Sequence, residues 1–245
     1  MIRFLFLLLP ALALAACSGG DAAGSNSANA APVAGAKPPA GKQWHEVVEQ
    51  VSGGGFRMGN PNAPIKLVEY GSRGCPVCGA FAREAFDPLV KDYVDSGKVS
   101  FEFNEFMVHG ASDLAASLLG QCVATSAYFP VLEQMYADQE ELNGRLMAMD
   151  DATAQSLQGM TPTQQVTKLA EVAGYIDFMK QRGLPEAKAR ACLNDQQKIE
   201  TLSDRMQTAS QDKNVTGTPT FFVNGDRIDG TTWKVVKQAL ENHGA

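Results

Sequence analysis

Two cysteines separated by two residues, Cys75 and Cys78, constrain the fold of this 245-residue chain more than any other feature. A strand-like apolar run at 65–70 precedes them and a helix-compatible run at 79–94 follows. The pair therefore falls at the start of a helix, where the positive end of the dipole lowers a thiol pKa from about 8.5 to roughly 3.5–7.5. Because the thiolate is the species that attacks disulfides, thiol–disulfide exchange is the leading hypothesis.

The same spacing has two other uses. The pair could supply half of a zinc site, but the remaining candidates for ligands, Cys122 and Cys192, are isolated from each other and lack nearby histidines. It could also be a purely structural disulfide, although so small a loop constrains the unfolded chain little. Both alternatives stay open; we expect neither, and we expect no metal.

Residues 1–16 have the form of a signal peptide. Arg3 is their one positive charge, and an apolar run of about thirteen residues follows, too short for a bilayer, which needs about 20. Residues 14–17 (LAAC) resemble the lipobox of bacterial lipoproteins, which implies cleavage before Cys17 and lipid on its sulfur. The alternative is an ordinary secretory signal that leaves Cys17 as a free thiol.

Residues 17–42 are predicted to be the lipidated cysteine and a flexible linker, because Ala, Gly, Ser, Asn and Pro dominate without any period. Residues 43–245 then form one domain. The net charge of −6 disfavours nucleic acid as a partner, since nucleic-acid binding needs basic surfaces. With Cys17 lipidated, four cysteines remain, an even number that suits an exported protein with two disulfides.

The apolar periodicity predicts an α/β domain. A strand, the helix that carries the cysteines and an alternating strand come first, and a parallel crossover of this kind is right-handed in nearly all cases. A helical block of about a hundred residues follows before the last strand, so it is an insertion. The predicted elements are an edge strand at 43–51, strands at 65–71, 99–106 and 220–223, a helix to about 95, the helical insertion at about 111–213, a hairpin turn at 224–225 and a final helix at 231–242.

Three features together carry a resemblance to a known family. The cysteine motif after a strand, the long helical insertion and the run Gly217–Gly225 (GTPTFFVNG) resemble the DsbA-like thiol:disulfide oxidoreductases of the thioredoxin superfamily. The resemblance covers about 44–240. It implies a thioredoxin-like fold with a large helical insertion, and it implies no metal or organic cofactor.

The resemblance also implies roles for the two cysteines. Cys75, at the helix tip and exposed, is the nucleophile, and the shielded Cys78 resolves the mixed disulfide. Pro76 suits the first helical position because it lacks a backbone donor. Val77 departs from the strongly oxidising relatives, which often carry histidine there. Thiolate stabilisation would then rest on backbone amides and the dipole alone.

In this family, the loop that corresponds to Thr218 and Pro219 holds a cis proline that faces the active-site disulfide and pairs with the substrate backbone. We therefore expect Thr218 and Pro219, with Pro76 and Val77, to contact substrate. An ordinary trans proline at the start of a strand is the alternative, favoured by the base rate alone, since only about 5–6 % of X-Pro bonds are cis.

Glu69 lies six residues before Cys75, where the family often has an acidic residue beneath the disulfide. The resemblance implies a buried carboxyl with a raised pKa that relays protons during exchange. A solvent-facing position on the strand is the alternative. His109, just before the insertion, could approach the mouth of the site, although a lone histidine is more often structural.

Cys122 and Cys192 both lie in helical patterns. Similar cysteines in some relatives join as a second disulfide, which would close a loop of about 70 residues and contribute roughly 4 kcal/mol. Two separate buried thiols are the alternative, because sequence alone does not determine connectivity.

The function implied by these residues is oxidation of cysteine pairs in exported proteins. The signal sequence predicts a periplasmic protein, lipid-anchored to the inner or outer membrane, and the resemblance implies reoxidation by a membrane redox partner. We expect a monomer, because isomerases of the superfamily dimerise through an added N-terminal domain, for which 18–42 is too short and too polar. The alternatives are a reductase or isomerase that uses the same site, and a non-catalytic lipoprotein that binds a partner.

Overall fold

The computed structural model describes residues 30–245. The predicted signal peptide, Cys17 and the first half of the predicted linker lie outside the described residues. In the part that the structure describes, no helix is long and apolar enough to cross a membrane.

In the described part of the chain, six strands form one mixed sheet. They are β1 (Val48–Gln50), β2 (Phe56–Gly59), β3 (Ile65–Gly71), β4 (Val99–Glu105), β5 (Thr220–Val223) and β6 (Asp226–Arg227). Their spatial order is β1-β2-β4-β3-β5-β6, and only β3 and β4 pair in parallel. The strand that leads to the cysteines, β3, is therefore central and paired on both sides.

Residues 30–245 contain ten α-helices. They are α1 (Pro76–Pro88), α2 (Ala111–Gly120), α3 (Tyr128–Ala137), α4 (Gln139–Met147), α5 (Asp151–Leu157), α6 (Pro162–Ala173), α7 (Tyr175–Gln181), α8 (Glu186–Leu193), α9 (Gln196–Asp212) and α10 (Trp233–Asn242). Helix α1 continues as a wider π-helical turn over Leu89–Val94, and short 3-10 turns lie at Trp44–Glu46 and Thr125–Ala127. The architecture is the thioredoxin-like α/β fold with a helical insertion that the sequence predicts.

Helix α1 connects β3 to β4 and packs its apolar stripe on the sheet. Phe81, Ala85 and Leu89 recur every four residues and are at most 4 % exposed, which places them on one face of the helix. The ring of Phe81 lies 4.4 Å from that of Phe221 on β5, centroid to centroid. This packing fixes the helix that begins at the cysteine motif relative to the strands beside it.

Helices α2 to α9 form the insertion between β4 and β5, and they have an apolar core of their own. A disulfide joins Cys122, just after α2, to Cys192 on α8, with their Cα atoms 6.4 Å apart. The structure thus forms the pair that the resemblance implied, rather than two separate thiols.

The structure differs from the predicted edge strand at 43–51. Residues Trp44–Glu46 form a 3-10 turn, and only Val48–Gln50 are strand. The side chain of Glu46 accepts a hydrogen bond from the Gln43 amide at 2.6 Å, which caps the turn, and the Trp44 ring is buried in the sheet core. A buried indole and a capped turn outweigh the strand propensity of this segment.

The described part of the predicted linker lies against the domain. The amides of Ala30 and Val33 donate to the carbonyls of Asn242 and Gly244 at 2.9 and 2.8 Å. The indole nitrogen of Trp44 donates to the carbonyl of Ala36 at 2.7 Å. Residues 30–33 therefore run beside the C-terminal end of α10, and Ala36 contacts Trp44.

We expect the Cys122→Ala/Cys192→Ala variant to lose about 2–4 kcal/mol of unfolding free energy, because the disulfide restricts a long loop of the unfolded chain. Urea denaturation of the variant and the wild type under non-reducing conditions measures the difference. A loss below about 0.5 kcal/mol, the size of an ordinary surface substitution, would contradict this account.

Candidate active site

The end of β3 and the start of α1 position the two cysteines. Cys75 is the N-cap of α1, with φ −73° and ψ 118°, and Pro76 follows at the first turn of the helix. Cys78 lies one turn inside the helix. Both cysteines are free thiols in this structure. The proline lacks an amide hydrogen at a position where the helix leaves amides unpaired, so it starts the helix at no cost.

The sequence-based expectation that Cys75 is exposed is wrong, because the side chain is buried. Cys75 is only 6 % exposed, while Cys78 is fully buried. The sulfur of Cys75 lies 3.5 Å from the carbonyl oxygen of Thr218, so the loop before β5 covers it. Pro76 and Val77 are exposed beside it. The site is therefore a narrow opening between the tip of α1 and this loop.

The peptide bond between Thr218 and Pro219 is cis, as expected from the sequence. The loop is closed behind the proline by a hydrogen bond from the Thr220 hydroxyl to the Gly217 carbonyl at 2.8 Å. The hydroxyl of Thr218 is buried and has no geometrically well-formed partner among the described residues. The carbonyl oxygen of Thr218 faces the active-site sulfur at 3.5 Å.

The environment of Cys75 lowers its pKa to about 5. The largest cause is a hydrogen bond from the Cys78 thiol; burial opposes it, and the nearby Thr218 side chain and the amides of Cys78 and Val77 lower the pKa further. The expectation that amides and dipole alone stabilise the thiolate is thus incomplete. Without a histidine at position 77, a second thiol and a threonine take part.

Cys78 behaves in the opposite way. Burial raises its pKa, and the hydrogen bond that it donates to Cys75 and the nearby charge of Glu69 raise it further. It therefore stays protonated at neutral pH and can donate to the Cys75 thiolate. The motif thus contains one reactive sulfur and one shielded sulfur.

Glu69 is buried on β3, at 3 % exposure, and not at a solvent-facing position. Its pKa is raised from 4.5 to about 8, first by burial and then by the negative charge of Cys75. One of its carboxyl oxygens has no hydrogen-bond partner within residues 30–245. A carboxyl with a pKa near neutrality, close enough to feel and to affect both sulfurs, can hold or release a proton there.

The loop before Cys75 contains a buried ion pair that sequence reasoning missed. Arg73 contacts Glu105 at 2.8 Å, and both side chains are at most 2 % exposed. The other oxygen of Glu105 accepts from Ser117, and the Tyr128 hydroxyl donates to the first at 2.9 Å. The only sequence signal was a carboxylate at the end of an alternating strand, and it does not name the partner.

A cleft of about 260 Å³ opens beside Gly74 and Pro76. His109 lines it, and its Nδ1 lies 3.1 Å from the buried carboxylate of Asp113. The same carboxylate accepts from the Ser72 hydroxyl at 2.6 Å. His109 thus borders the mouth of the site without a contact to either active-site sulfur. In the described part of the chain, no group of three His, Cys, Asp or Glu side chains could hold a metal ion.

The sequence is similar to those of known proteins. A family model described as Thioredoxin matches residues 51–242. A putative protein-disulfide oxidoreductase of Rickettsia prowazekii is 25 % identical over 184 residues, which cover 75 % of this chain and 59 % of that protein. Disulfide bond formation protein D of Bacillus subtilis is 25 % identical over 190 residues, which cover 75 % of this chain and 74 % of that protein. The chain spans 52–62 % of the rickettsial relatives' length.

Solved structures show the same fold. A protein-disulfide isomerase from Novosphingobium aromaticivorans is 28 % identical with a TM-score of 0.71, over 75 % of this chain and 94 % of that one. Oxidised BdbD from Bacillus subtilis is 21 % identical with a TM-score of 0.54, over 76 % and 90 % of the two chains. The second likeness concerns the fold alone.

We expect Glu69→Gln to remove a loss of stability that the reduced wild-type protein suffers as the pH rises. The fold raises the Glu69 pKa from 4.5 to about 8, so between these values the unfolded chain has released a proton that the folded protein still binds. The contribution of Glu69 to stability therefore falls as pH rises through this window. The stability lost through Glu69 across this window is on the order of a few kcal/mol.

Urea denaturation of both reduced proteins from pH 5 to 9 tests this. The variant should gain stability relative to the wild type across that range. Curves that stay parallel would show that Glu69 is not a buried carboxyl with a raised pKa.

Proposed function

The chain belongs to the thioredoxin family, and we propose that it is a DsbA-like thiol:disulfide oxidoreductase that works through Cys75 and Cys78. The observation that carries this proposal is the asymmetry of the two thiols: the pKa of Cys75 is lowered to about 5, whereas burial raises that of Cys78. Exchange needs this asymmetry, because a single defined sulfur must meet the client. The cis Thr218–Pro219 bond beside Cys75 provides the backbone with which the client pairs.

The reaction moves two electrons from a client to the enzyme. A client thiolate attacks the Cys75 sulfur of the Cys75–Cys78 disulfide, that bond breaks, and Cys78 leaves and takes up a proton. The second client thiolate then attacks the client sulfur of the mixed disulfide and expels Cys75 as a thiolate. The client gains a disulfide, and the enzyme is reduced. Glu69, with a pKa of about 8, is the buried group suited to supply the proton to Cys78.

The low pKa of Cys75 favours the oxidising direction. A thiolate that the protein stabilises makes the reduced form more stable, so the disulfide form is a stronger oxidant. The isomerase name of the Novosphingobium protein supports a second candidate, a site kept reduced that reshuffles disulfides. The stabilised Cys75 thiolate weighs towards the oxidase, which a membrane redox partner would reoxidise. The cysteine pairs of exported proteins are its proposed substrates, with Pro76 and Val77 beside Thr218 and Pro219 in the contact surface.

The location that we propose is the periplasm, with the protein a monomer anchored through lipid on Cys17. Residues 1–16 support it as a signal peptide of the lipoprotein type, and the second disulfide, Cys122–Cys192, suits an oxidising compartment. In this reading 17–42 is the segment between anchor and domain. Residues 30–36 of this segment contact the domain.

We expect the oxidised protein to form a disulfide in a reduced two-cysteine peptide. Cys75→Ser should abolish this turnover, because no sulfur then meets the client. Cys78→Ser also has no disulfide to donate, but with an oxidised peptide it should accumulate a mixed disulfide, because the Cys75 thiolate attacks the peptide disulfide and no Cys78 thiol remains to release the peptide. Peptide mass spectrometry and non-reducing gels measure both, and Cys122→Ala/Cys192→Ala, if folded, is the matched control that should retain activity.

Equilibration with glutathione gives the direction of the reaction. A reduction potential near that of thioredoxin, about −270 mV, would sink the oxidase assignment in favour of a reductase. A wild-type protein that cannot oxidise the peptide at all would support the non-catalytic binding protein instead.

We expect the full chain, expressed in a bacterium that processes lipoproteins, to fractionate with membranes. Cys17→Ser should release it into the soluble fraction, because the sulfur that accepts the lipid is gone. Mass spectrometry of the N-terminal peptide should show a lipid-sized addition in the wild type alone. A soluble wild type with a free thiol at Cys17 would contradict the anchor.

A further inference from the structure

The helical insertion holds the backbone of the loop that ends at Cys75. Four consecutive carbonyls of this loop each accept a hydrogen bond from a side chain of α3 or α4. The Tyr136 hydroxyl donates to Ser72 at 3.1 Å, the Gln139 amide donates to both Arg73 and Cys75 at 2.9 Å, and the Asn143 amide donates to Gly74 at 2.9 Å.

The three donors share one face of the insertion. Tyr136 lies near the end of α3, Gln139 is the first residue of α4, and Asn143 follows one turn later. Residues three and four apart are neighbours on a helix surface, so this spacing turns the donors the same way. Gln139 is only 3 % exposed, although a glutamine in the first turn of a helix usually faces water. Its amide is therefore committed to the loop.

The carbonyl of Cys75 has two partners. It accepts from Gln139 and also from the amide of Gly79 at 3.1 Å, which is the first hydrogen bond of α1. Gln139 is consequently hydrogen-bonded to the peptide group at which the helix begins. Loss of this hydrogen bond would let the N-cap residue rotate and would move its sulfur relative to the amides of Val77 and Cys78.

We propose that Gln139 and Asn143 are positioning residues, which fix the backbone of 73–75 so that the Cys75 sulfur stays in line with the amides that open α1. Neither side chain touches a sulfur, so each acts through the loop. The insertion then influences the chemistry of the thiol through the backbone of 73–75. This inference concerns Cys75 itself and can be tested without any client.

The test is Gln139→Met, which keeps the length of the side chain and removes both donated hydrogen bonds. Its matched control is Gln165→Met on α6, because Gln165 also donates to two backbone carbonyls, those of Leu157 and Met160, within the insertion. Asn143→Leu is a second variant, which keeps the test decisive if the first does not fold. The pH titration of thiolate absorbance near 240 nm and the equilibrium with glutathione are measured for each folded protein.

We expect the titration midpoint of Cys75 to rise by about one pH unit in Gln139→Met, which is a tenfold loss of thiolate below the midpoint. The glutathione equilibrium should move about tenfold towards the disulfide form of the protein, because the reduced form has lost stabilisation. Gln165→Met should lower the unfolding temperature while both thiol readouts stay at wild-type values.

Two results would overturn the inference. One is a Gln139→Met or Asn143→Leu variant with lower stability but an unchanged midpoint and equilibrium, since the bonds would then be merely structural. The other is a Gln165→Met variant whose midpoint shifts as much, since the effect would then be general. A wild type without any low-pKa thiol would instead refute the proposed function, so the two failures can be told apart.

Discussion

The hydrogen bond between the two thiols of the motif is the interaction on which the rest of the site depends. It is the largest influence that lowers the pKa of Cys75 and one of those that raise the pKa of Cys78. It exists because the sulfur of an N-cap residue and that of a residue in the first turn share one end of the helix. Burial of Cys78 makes it the donor, so the fold assigns the two sulfurs different roles although their local sequence is nearly symmetric.

The carboxyl groups of Glu69 and Glu105 lie near the site in different electrostatic environments. Burial and the negative charge of Cys75 raise the pKa of Glu69, and no cation among residues 30–245 offsets them. The neighbouring carboxylate, Glu105, instead has the guanidinium of Arg73, the Ser117 hydroxyl and the Tyr128 hydroxyl. Two acidic side chains at the ends of adjacent strands thus differ because one is paired and the other is not. Only the unpaired one is suited to exchange protons near neutral pH.

The sequence alone predicted those features of the fold that depend on residues close together in the chain. The strand, proline and helix around Cys75 follow from periodicity and the missing amide hydrogen of Pro76. The cis bond at Pro219 and the disulfide between Cys122 and Cys192 came from the resemblance, because no spacing rule specifies either. The sequence did not predict the burial of Cys75, since the residues that cover it are more than a hundred positions away. Gln139 was equally hidden: in sequence it is an ordinary polar residue in the first turn of a helix, and only the tertiary position of α4 turns it inward.

The contact between residues 30–36 and the end of α10 has a mechanical consequence. Ala36 lies against Gly97, just before β4 begins, and β4 runs parallel to β3, whose far end leads to Cys75. Residues 30–36 are thus bound near the start of β4, at the end of the strands opposite to the cysteines. Tension applied to the chain ahead of residue 30 would first load the hydrogen bonds to Asn242 and Gly244, so those bonds would part before any strain reached the sulfurs.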